Sequence, residues 1–179
     1  MTALIEQICD PGDGILIASP YWAGLDISIS IHSHASIVPV HVPLKEFFSL
    51  KSVQYYESAI RASSLPIKAV LICNPHNPLG QCYPARTIFA MLEFCQKHDL
   101  HYISDEVYAL SAHRPYPAGF TSFTSTLELS DGHTSDRIHV IYSLSKDFGC
   151  NGMRLVRILA TLCLEPILTI PGRPHLPVK

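Results

Sequence analysis

The stretch Ala69-Val70-Leu71-Ile72-Cys73-Asn74-Pro75-His76-Asn77-Pro78-Leu79-Gly80 joins an apolar run directly to a turn. The run from Ala69 to Cys73 is short and continuous, which is typical of a buried strand. The two residue-proline steps and Gly80 predict a tight turn where that strand ends. Because ligands of open α/β sheets bind at the carboxyl ends of the strands, we expect this turn to lie at a binding site.

Strand-like and helix-like segments alternate around this stretch. The pattern predicts an α/β fold, with a mainly parallel sheet and helices on both of its faces. The predicted strands are residues 14–18, 36–40, 68–73, a short stretch around Ile103, and 137–142. The predicted helices are residues 22–31, 53–63 and 84–97. Residues 111–136 are polar and rich in Ser, Thr and Pro, and we expect them to form a long loop over the site.

A second polar segment, Ser104-Asp105-Glu106-Val107-Tyr108, follows the strand-like residues 101–103. An acid at the end of a strand can keep a pyridine nitrogen protonated, and Tyr108 can reach an oxygen on the same ring. Taken alone, Asp105 is better explained as a helix or turn acid and Tyr108 as a half-buried structural tyrosine. Residues 104–108 indicate a cofactor site only in combination with the segment around Lys146.

Lys146 lies in Ser143-Leu144-Ser145-Lys146-Asp147-Phe148-Gly149, eight residues before Arg154. A lysine amine condenses with an aldehyde to form an imine. Ser143, Ser145 and Arg154 can share a phosphate through charge-assisted hydrogen bonds. A carbonyl cofactor with a phosphate tail needs this combination, whereas the alternative is a solvated lysine in a polar turn.

Three motifs in this order, residues 74–80, 103–108 and 143–149, resemble the class I/II aminotransferases, which are pyridoxal-phosphate enzymes of fold type I. Within that family the motifs look most similar to the 1-aminocyclopropane-1-carboxylate synthase-like branch. The resemblance extends over roughly residues 10–154. It implies that the sheet is an incomplete aminotransferase large domain, that pyridoxal 5′-phosphate is the cofactor, and that the substrate is an amino acid.

The resemblance also implies a role for each residue that matches a motif. Lys146 would form the internal aldimine and then move a proton between the substrate α-carbon and the cofactor. From Ser19-Pro20-Tyr21-Trp22, Trp22 rather than Tyr21 would stack on the cofactor ring. The other implied cofactor ligands are Asp105 at the ring nitrogen, Asn77 and Tyr108 at the ring oxygen, and Ser143, Ser145 and Arg154 at the phosphate.

The chain has 179 residues, fewer than members of this family have. We expect residues 1–164 to form a partial cofactor-binding large domain and the proline-rich residues 165–179 to be a disordered tail. The family's phosphate-binding loop would precede Met1, and its small domain would follow Arg154. Two interpretations therefore stay open. One is an enzyme that carries out transamination or cyclopropane-forming elimination; the other is an inactive relic or a non-catalytic partner of a full-length paralogue.

Composition narrows the remaining classes of protein. A net charge of −2 and the absence of a basic stripe argue against nucleic acid as a partner. No apolar run is long enough to cross a membrane, and the six dispersed cysteines form no C-x-x-C pair, so we expect a reduced, cytoplasmic protein. Residues 95–101 have ligand-like gaps but lack a fourth ligand, so we expect no metal site. The resemblance implies a homodimer for the full-length family.

Overall fold

The structure, a computed structural model, describes residues 1–112, 121–129, 136–153 and 155–160. Six strands form one sheet: β1 (Gly14–Ser19), β2 (Ser36–His41), β3 (Ile67–Cys73), β4 (His101–Asp105), β5 (Ile138–Ser143) and β6 (Val156–Ala160). The helices in these residues are α1 (Thr2–Ile8), α2 (Gly24–Asp26), α3 (Ser52–Ala62), α4 (Ala85–Lys97), α5 (Thr126–Leu129) and α6 (Leu144–Asp147). A π-helical turn (Ile27–Ile31) continues α2, and short 3-10 turns are formed by Leu44–Glu46, Ala109–Ser111 and Asn151–Met153.

The strand order is β2-β1-β3-β4-β5-β6, and every neighbouring pair is parallel except β5 and β6. This arrangement confirms the predicted mainly parallel α/β sheet. The chain places β2 on one side of β1 and β3 on the other, so the direction of winding reverses between β1 and β3. A crevice at the carboxyl ends of the strands is expected at such a reversal.

Helices cover both faces of the sheet, as predicted. On one face, Tyr56 of α3 and Met91 of α4 pack with Leu16 and Val70 in a continuous apolar core. On the other face, Ile5 of α1 and the residues following α2 pack with strand residues of the opposite parity, such as Ile15 and Leu71. Successive strand residues point to opposite faces, so a strand that is apolar throughout supplies both cores at once.

The predicted segment boundaries agree closely with the observed ones. The helix expected over residues 84–97 begins at Ala85, with Pro84 at its N-cap, and the strand expected around Ile103 extends as far as Asp105. Asp105 is therefore the last residue of β4, which agrees with the expected acid at the end of a strand. The antiparallel strand β6 was not predicted, and α5 lies inside the expected loop 111–136.

Parts of two predictions fall outside the described residues. Residues 113–120 and 130–135 of the expected loop are among them, and so is the proline-rich segment 165–179. The division into a domain of residues 1–164 and a tail thus stays a prediction. Across the described ranges, no helix is both long enough and apolar enough to cross a bilayer.

Candidate active site

A cavity of about 380 Å³ lies at the carboxyl ends of the parallel strands. Ala18, Cys73, Asp105 and Ser143 bring the ends of β1, β3, β4 and β5 to its wall. The volume is typical of small-molecule sites. Seven of the eight predicted site residues line it: Trp22, Asn77, Asp105, Tyr108, Ser143, Ser145 and Lys146. The eighth, Arg154, lies outside the described residues.

Asp105 is a buried acid in the cavity wall, with only 9% of its surface exposed. Burial raises the pKa of its carboxyl group to about 6. Its Oδ1 accepts a long hydrogen bond of 3.4 Å from the backbone N–H of Val107. Because a carboxylate can accept about four hydrogen bonds, Asp105 keeps most of its acceptor capacity for a cationic donor in the cavity.

Asn77 lies in the turn that follows β3. The predicted tight turn is present, since the backbone N–H of Gly80 donates to the carbonyl of His76 at 2.8 Å and Gly80 has a φ of +65°. Asn74 anchors the start of the turn. It is fully buried, its Oδ1 accepts from the N–H of Tyr83 at 3.0 Å, and its Nδ2 donates to the carbonyl of Thr124 at 3.3 Å. The anchored turn holds Asn77 at the cavity wall.

Tyr108 and Lys146 meet across the cavity. The Lys146 Nζ lies 5.6 Å from the centroid of the Tyr108 ring, within the range of a cation–π contact. Tyr108 precedes the 3-10 turn Ala109–Ser111, and Lys146 lies in the short helix α6. Lys146 is exposed, which leaves its amine accessible to a ligand entering from solvent.

The two serines before Lys146 have different environments. Ser143 is the N-cap of α6, and its Oγ accepts from the N–H of Ser145 at 3.1 Å. The same hydroxyl lies 3.0 Å from the carbonyl of Leu155 and 2.8 Å from the Oγ of Ser145. The single proton of Ser143 can serve only one of these two acceptors. Either Ser143 donates to Ser145, or Ser143 donates to Leu155 and the Ser145 hydroxyl is the donor in the 2.8 Å contact. Of the two serines predicted to bind the phosphate, Ser145 is the less buried and so the more accessible to a ligand.

The aromatic wall of the cavity contains both Trp22 and Tyr21. The Trp22 indole lies against Gly24, and a Cβ atom added at Gly24 would overlap the indole ring. The Tyr21 hydroxyl donates to Asp26 at 3.0 Å. Trp22 is 53% exposed, so one face of the indole is available for stacking.

The residues of the cavity wall that were not predicted include Cys73, His76 and Val107. His76 is almost fully buried against the rings of Phe47, Phe48 and Tyr83, and burial lowers its pKa to about 4. Its imidazole is therefore neutral near pH 7. The signal for all three was their position inside or next to motifs already identified, at the ends of adjacent strands. In the described part of the chain, no three His, Cys, Asp or Glu side chains form a group that could hold a metal ion.

Comparisons with known proteins agree with this arrangement. A family model described as aminotransferase class I and II matches residues 1–165. The probable aminotransferase sirI of Leptosphaeria maculans is 54% identical over 162 residues, covering 89% of this chain and 39% of the relative. A 1-aminocyclopropane-1-carboxylate synthase of Oryza sativa subsp. indica is 39% identical over 158 residues, covering 86% of this chain and 32% of the relative.

The similarity extends to solved structures. The crystal structure of an aspartate aminotransferase from Thermotoga maritima superimposes with a TM-score of 0.72 at 25% identity, covering 89% of this chain and 39% of that one. The chain thus spans about two-fifths or less of the length of the relatives that it matches. Since the family match extends over most of the chain, the protein belongs to the class I and II aminotransferase family.

Proposed function

We propose that the protein acts on an amino acid with pyridoxal 5′-phosphate as cofactor, and that Lys146 is the amine to which the cofactor attaches. The observation that carries the proposal is the shared cavity of Lys146, Asp105 and Tyr108 at the carboxyl ends of β4 and β5. A lysine, a buried acid and a phenol are the three groups that a pyridine aldehyde with a ring hydroxyl requires.

The residues present fit this cofactor on two grounds. Asp105 is buried with a single long hydrogen bond between described residues, so a ring N–H⁺ would complete its pairing. Ser145 places a hydroxyl at the cavity wall, where it can turn to donate to a phosphate. Asn77 and Tyr108 would donate to the ring oxygen, and Trp22 would cover one face of the ring. When bound, pyridoxal phosphate supplies an electron sink for negative charge that develops at the substrate α-carbon.

The residues of the chain then have distinct tasks. Lys146 Nζ would remove the proton from the substrate α-carbon and return it, because Lys146 is the one lysine among the described residues that line the cavity. Asp105, as a carboxylate, would pair with the ring nitrogen of the bound cofactor and favour its protonated form. The ring of Tyr108 attracts the Lys146 amine through a cation–π contact at 5.6 Å.

We infer that amino transfer is the first reaction to assay. The aminotransferase-named relative from Leptosphaeria maculans is more similar to this chain than the 1-aminocyclopropane-1-carboxylate synthase from rice. The similarity to the synthase makes cyclopropane-forming elimination the second reaction to assay.

Absorbance titration with pyridoxal phosphate tests the proposal. The unaltered chain is expected to develop the absorbance band of an imine between protein amine and cofactor, and Lys146→Arg is expected to lose it. Lys45→Arg is the matched control, because Lys45 is exposed and does not line the cavity. An unchanged band in Lys146→Arg would overturn the assignment. Exchange of amino groups over a panel of amino acids and 2-oxo acids then identifies the reaction.

A further inference from the structure

We propose that Asp147 is a positioning residue that fixes Lys146 relative to Tyr108, a role that rests on the function proposed above. Its carboxylate joins three elements of the structure. Oδ1 accepts from the Ser111 hydroxyl at 2.5 Å, and Oδ2 accepts from the backbone N–H of Leu110 at 3.0 Å. The Tyr142 hydroxyl also donates to Oδ2, at 3.0 Å.

The three donors connect the lysine segment to the tyrosine segment. Leu110 and Ser111 belong to the 3-10 turn that begins immediately after Tyr108. Tyr142 lies on β5, which leads into α6 and therefore into Lys146. Asp147 is covalently bound to Lys146, so its hydrogen bonds to the turn tie the backbone of one cavity residue to that of the other.

The ring of Tyr108 depends on this connection. Between described residues, no hydrogen bond holds the Tyr108 hydroxyl, so the turn that carries the residue determines where the ring lies. Across those residues no ion pair joins Asp147 to the amine of Lys146 either. The carboxylate of Asp147 is used for hydrogen bonds away from the lysine, which is the arrangement of a positioning group and not of a counter-ion.

Three hydrogen bonds converge on the Asp147 carboxylate, two of them exposed to solvent and one partly buried. Hydrogen bonds to an ionised acceptor are shorter and stronger than neutral ones, and one carboxylate here receives three of them. The environment of Tyr142 agrees: burial, followed by the hydrogen bond to Asp147, raises the pKa of its hydroxyl to about 12.

Selective labelling of Lys146 tests the proposal. The 179-residue chain is treated with pyridoxal phosphate or with propanal, reduced with borohydride and digested. Labelling of Lys146 is measured relative to the exposed Lys45. Propanal has neither ring nor phosphate, so the ratio of the two labelling rates reports how well Lys146 is placed for a ring-bearing aldehyde and is insensitive to simple exposure.

We expect Asp147→Ala to lower this ratio about 10-fold, the effect of losing one hydrogen bond to a charged group. Asp147→Asn keeps one acceptor oxygen and is expected to retain part of the ratio. Ser111→Ala removes a single donor and is expected to give a smaller loss. Asp10→Asn, at an exposed position, is the control and should leave the ratio unchanged. Amide hydrogen exchange at Leu110 should become faster in Asp147→Ala.

The outcomes are distinguishable. A purely structural role would lower the melting temperature and leave the labelling ratio unchanged, and that result would overturn the positioning role. If Asp147→Ala does not fold, an unchanged ratio in both Asp147→Asn and Ser111→Ala overturns the proposal in the same way. If the unaltered chain shows no preference of pyridoxal phosphate for Lys146 over Lys45, the proposed function itself fails, and the positioning role with it.

Discussion

Cys73 and Asp105 are register partners at the last positions of the parallel strands β3 and β4. Burial raises the pKa of both side chains, that of the Cys73 thiol to about 12 and that of the Asp105 carboxyl to about 6. The charge of Asp105 further raises the pKa of the thiol. Near pH 7 the thiol is neutral, and Asp105 is the ionised member of this pair.

The raised pKa of Asp105 predicts how cofactor binding varies with pH. Below about pH 6 the carboxyl group is protonated and cannot pair with a cationic ring nitrogen. The affinity for pyridoxal phosphate is thus expected to increase as pH rises through 6, by an amount equivalent to about 1.5–3 kcal/mol. Equilibrium binding is measured from pH 5 to 8 for the unaltered chain and for Asp105→Asn.

The Asp105→Asn variant is the control for the ionisation of the cofactor itself. Because the cofactor ionises identically in both experiments, the ratio of the two affinities isolates Asp105. A ratio that stays constant from pH 5 to 8 would show that Asp105 does not pair with the ring nitrogen.

Replacement of Glu106, which lies next to the site, is expected to lower the stability of the fold. The side chain is 3% exposed and accepts from the Ser125 hydroxyl at 2.6 Å and from the Thr126 N–H at 2.8 Å. Ser104 donates to it as well, at 3.0 Å. Glu106→Gln replaces an acceptor by a donor within this network, so we expect the free energy of unfolding to fall by about 1.5–3 kcal/mol.

Urea denaturation measures this difference for Glu106→Gln. Glu93→Gln is the matched control at an exposed position of α4, and a change within about 0.5 kcal/mol is expected there. Equal effects of the two substitutions would mean that the Glu106 network adds no stability.

The close approach of Gly24 to Trp22 is expected to determine where the indole ring lies. A methyl group at residue 24 would overlap the indole, so Gly24→Ala must displace the ring from the cavity wall. Trp22 is the only tryptophan of the chain, so its fluorescence reports the displacement directly. We expect a shifted emission maximum and weaker quenching by pyridoxal phosphate.

Gly152→Ala is the control for this substitution. Residue 152 has open space for a methyl group, and the substitution is expected to leave the Trp22 emission unchanged. If Gly24→Ala also leaves emission and quenching unchanged, the contact between Trp22 and Gly24 does not set the position of the ring.

The protein is expected to lose stability in acid because of His101 on β4 and His139 on β5. The Nδ1 of His101 lies 2.9 Å from the Nε2 of His139, and burial lowers the pKa of His139 to about 4. The unfolded chain binds a proton at about pH 6.5, so the stability due to neutral His139 is present above that pH. It is lost as pH falls towards 4, by about 3 kcal/mol at most.

Unfolding free energies of the unaltered chain and of His139→Phe, measured from pH 7.5 to 4.5, test this effect. The variant lacks the titrating group, so the difference between the two proteins should change in its favour as pH falls. Both proteins keep His101 and Asp136, whose charges act on residue 139. A difference that is independent of pH would contradict the assigned pKa shift.

The strands and the residues at their ends were predictable because their signals are local. The apolar run of residues 69–73 and the prolines after it predict a buried strand and its turn without reference to distant parts of the chain. In a parallel sheet all such ends lie on one edge, so Asn77, Asp105 and Lys146 were correctly expected to lie near one another.

The remaining features depend on contacts between distant residues. Asp147 binds Ser111, and Glu106 binds Thr126, through hydrogen bonds for which neither residue carries a local signal. The Ser143 hydroxyl lies 3.0 Å from the carbonyl of Leu155, twelve residues further along the chain. The sequence motif alone does not distinguish Ser143 from Ser145. Strand β6 pairs with β5 in an antiparallel register, and the turn residues before β6 do not predict this pairing.

The central claim is that Lys146 is the amine that carries the cofactor, and mass-spectrometric mapping after borohydride reduction tests it most directly. The chain is incubated with saturating pyridoxal phosphate, reduced and digested, and the modified peptides are quantified. We predict that the pyridoxyl mass is found on Lys146 and that Lys146→Arg abolishes it. Modification of Lys45, Lys51, Lys68 or Lys97, with none on Lys146, would contradict the account.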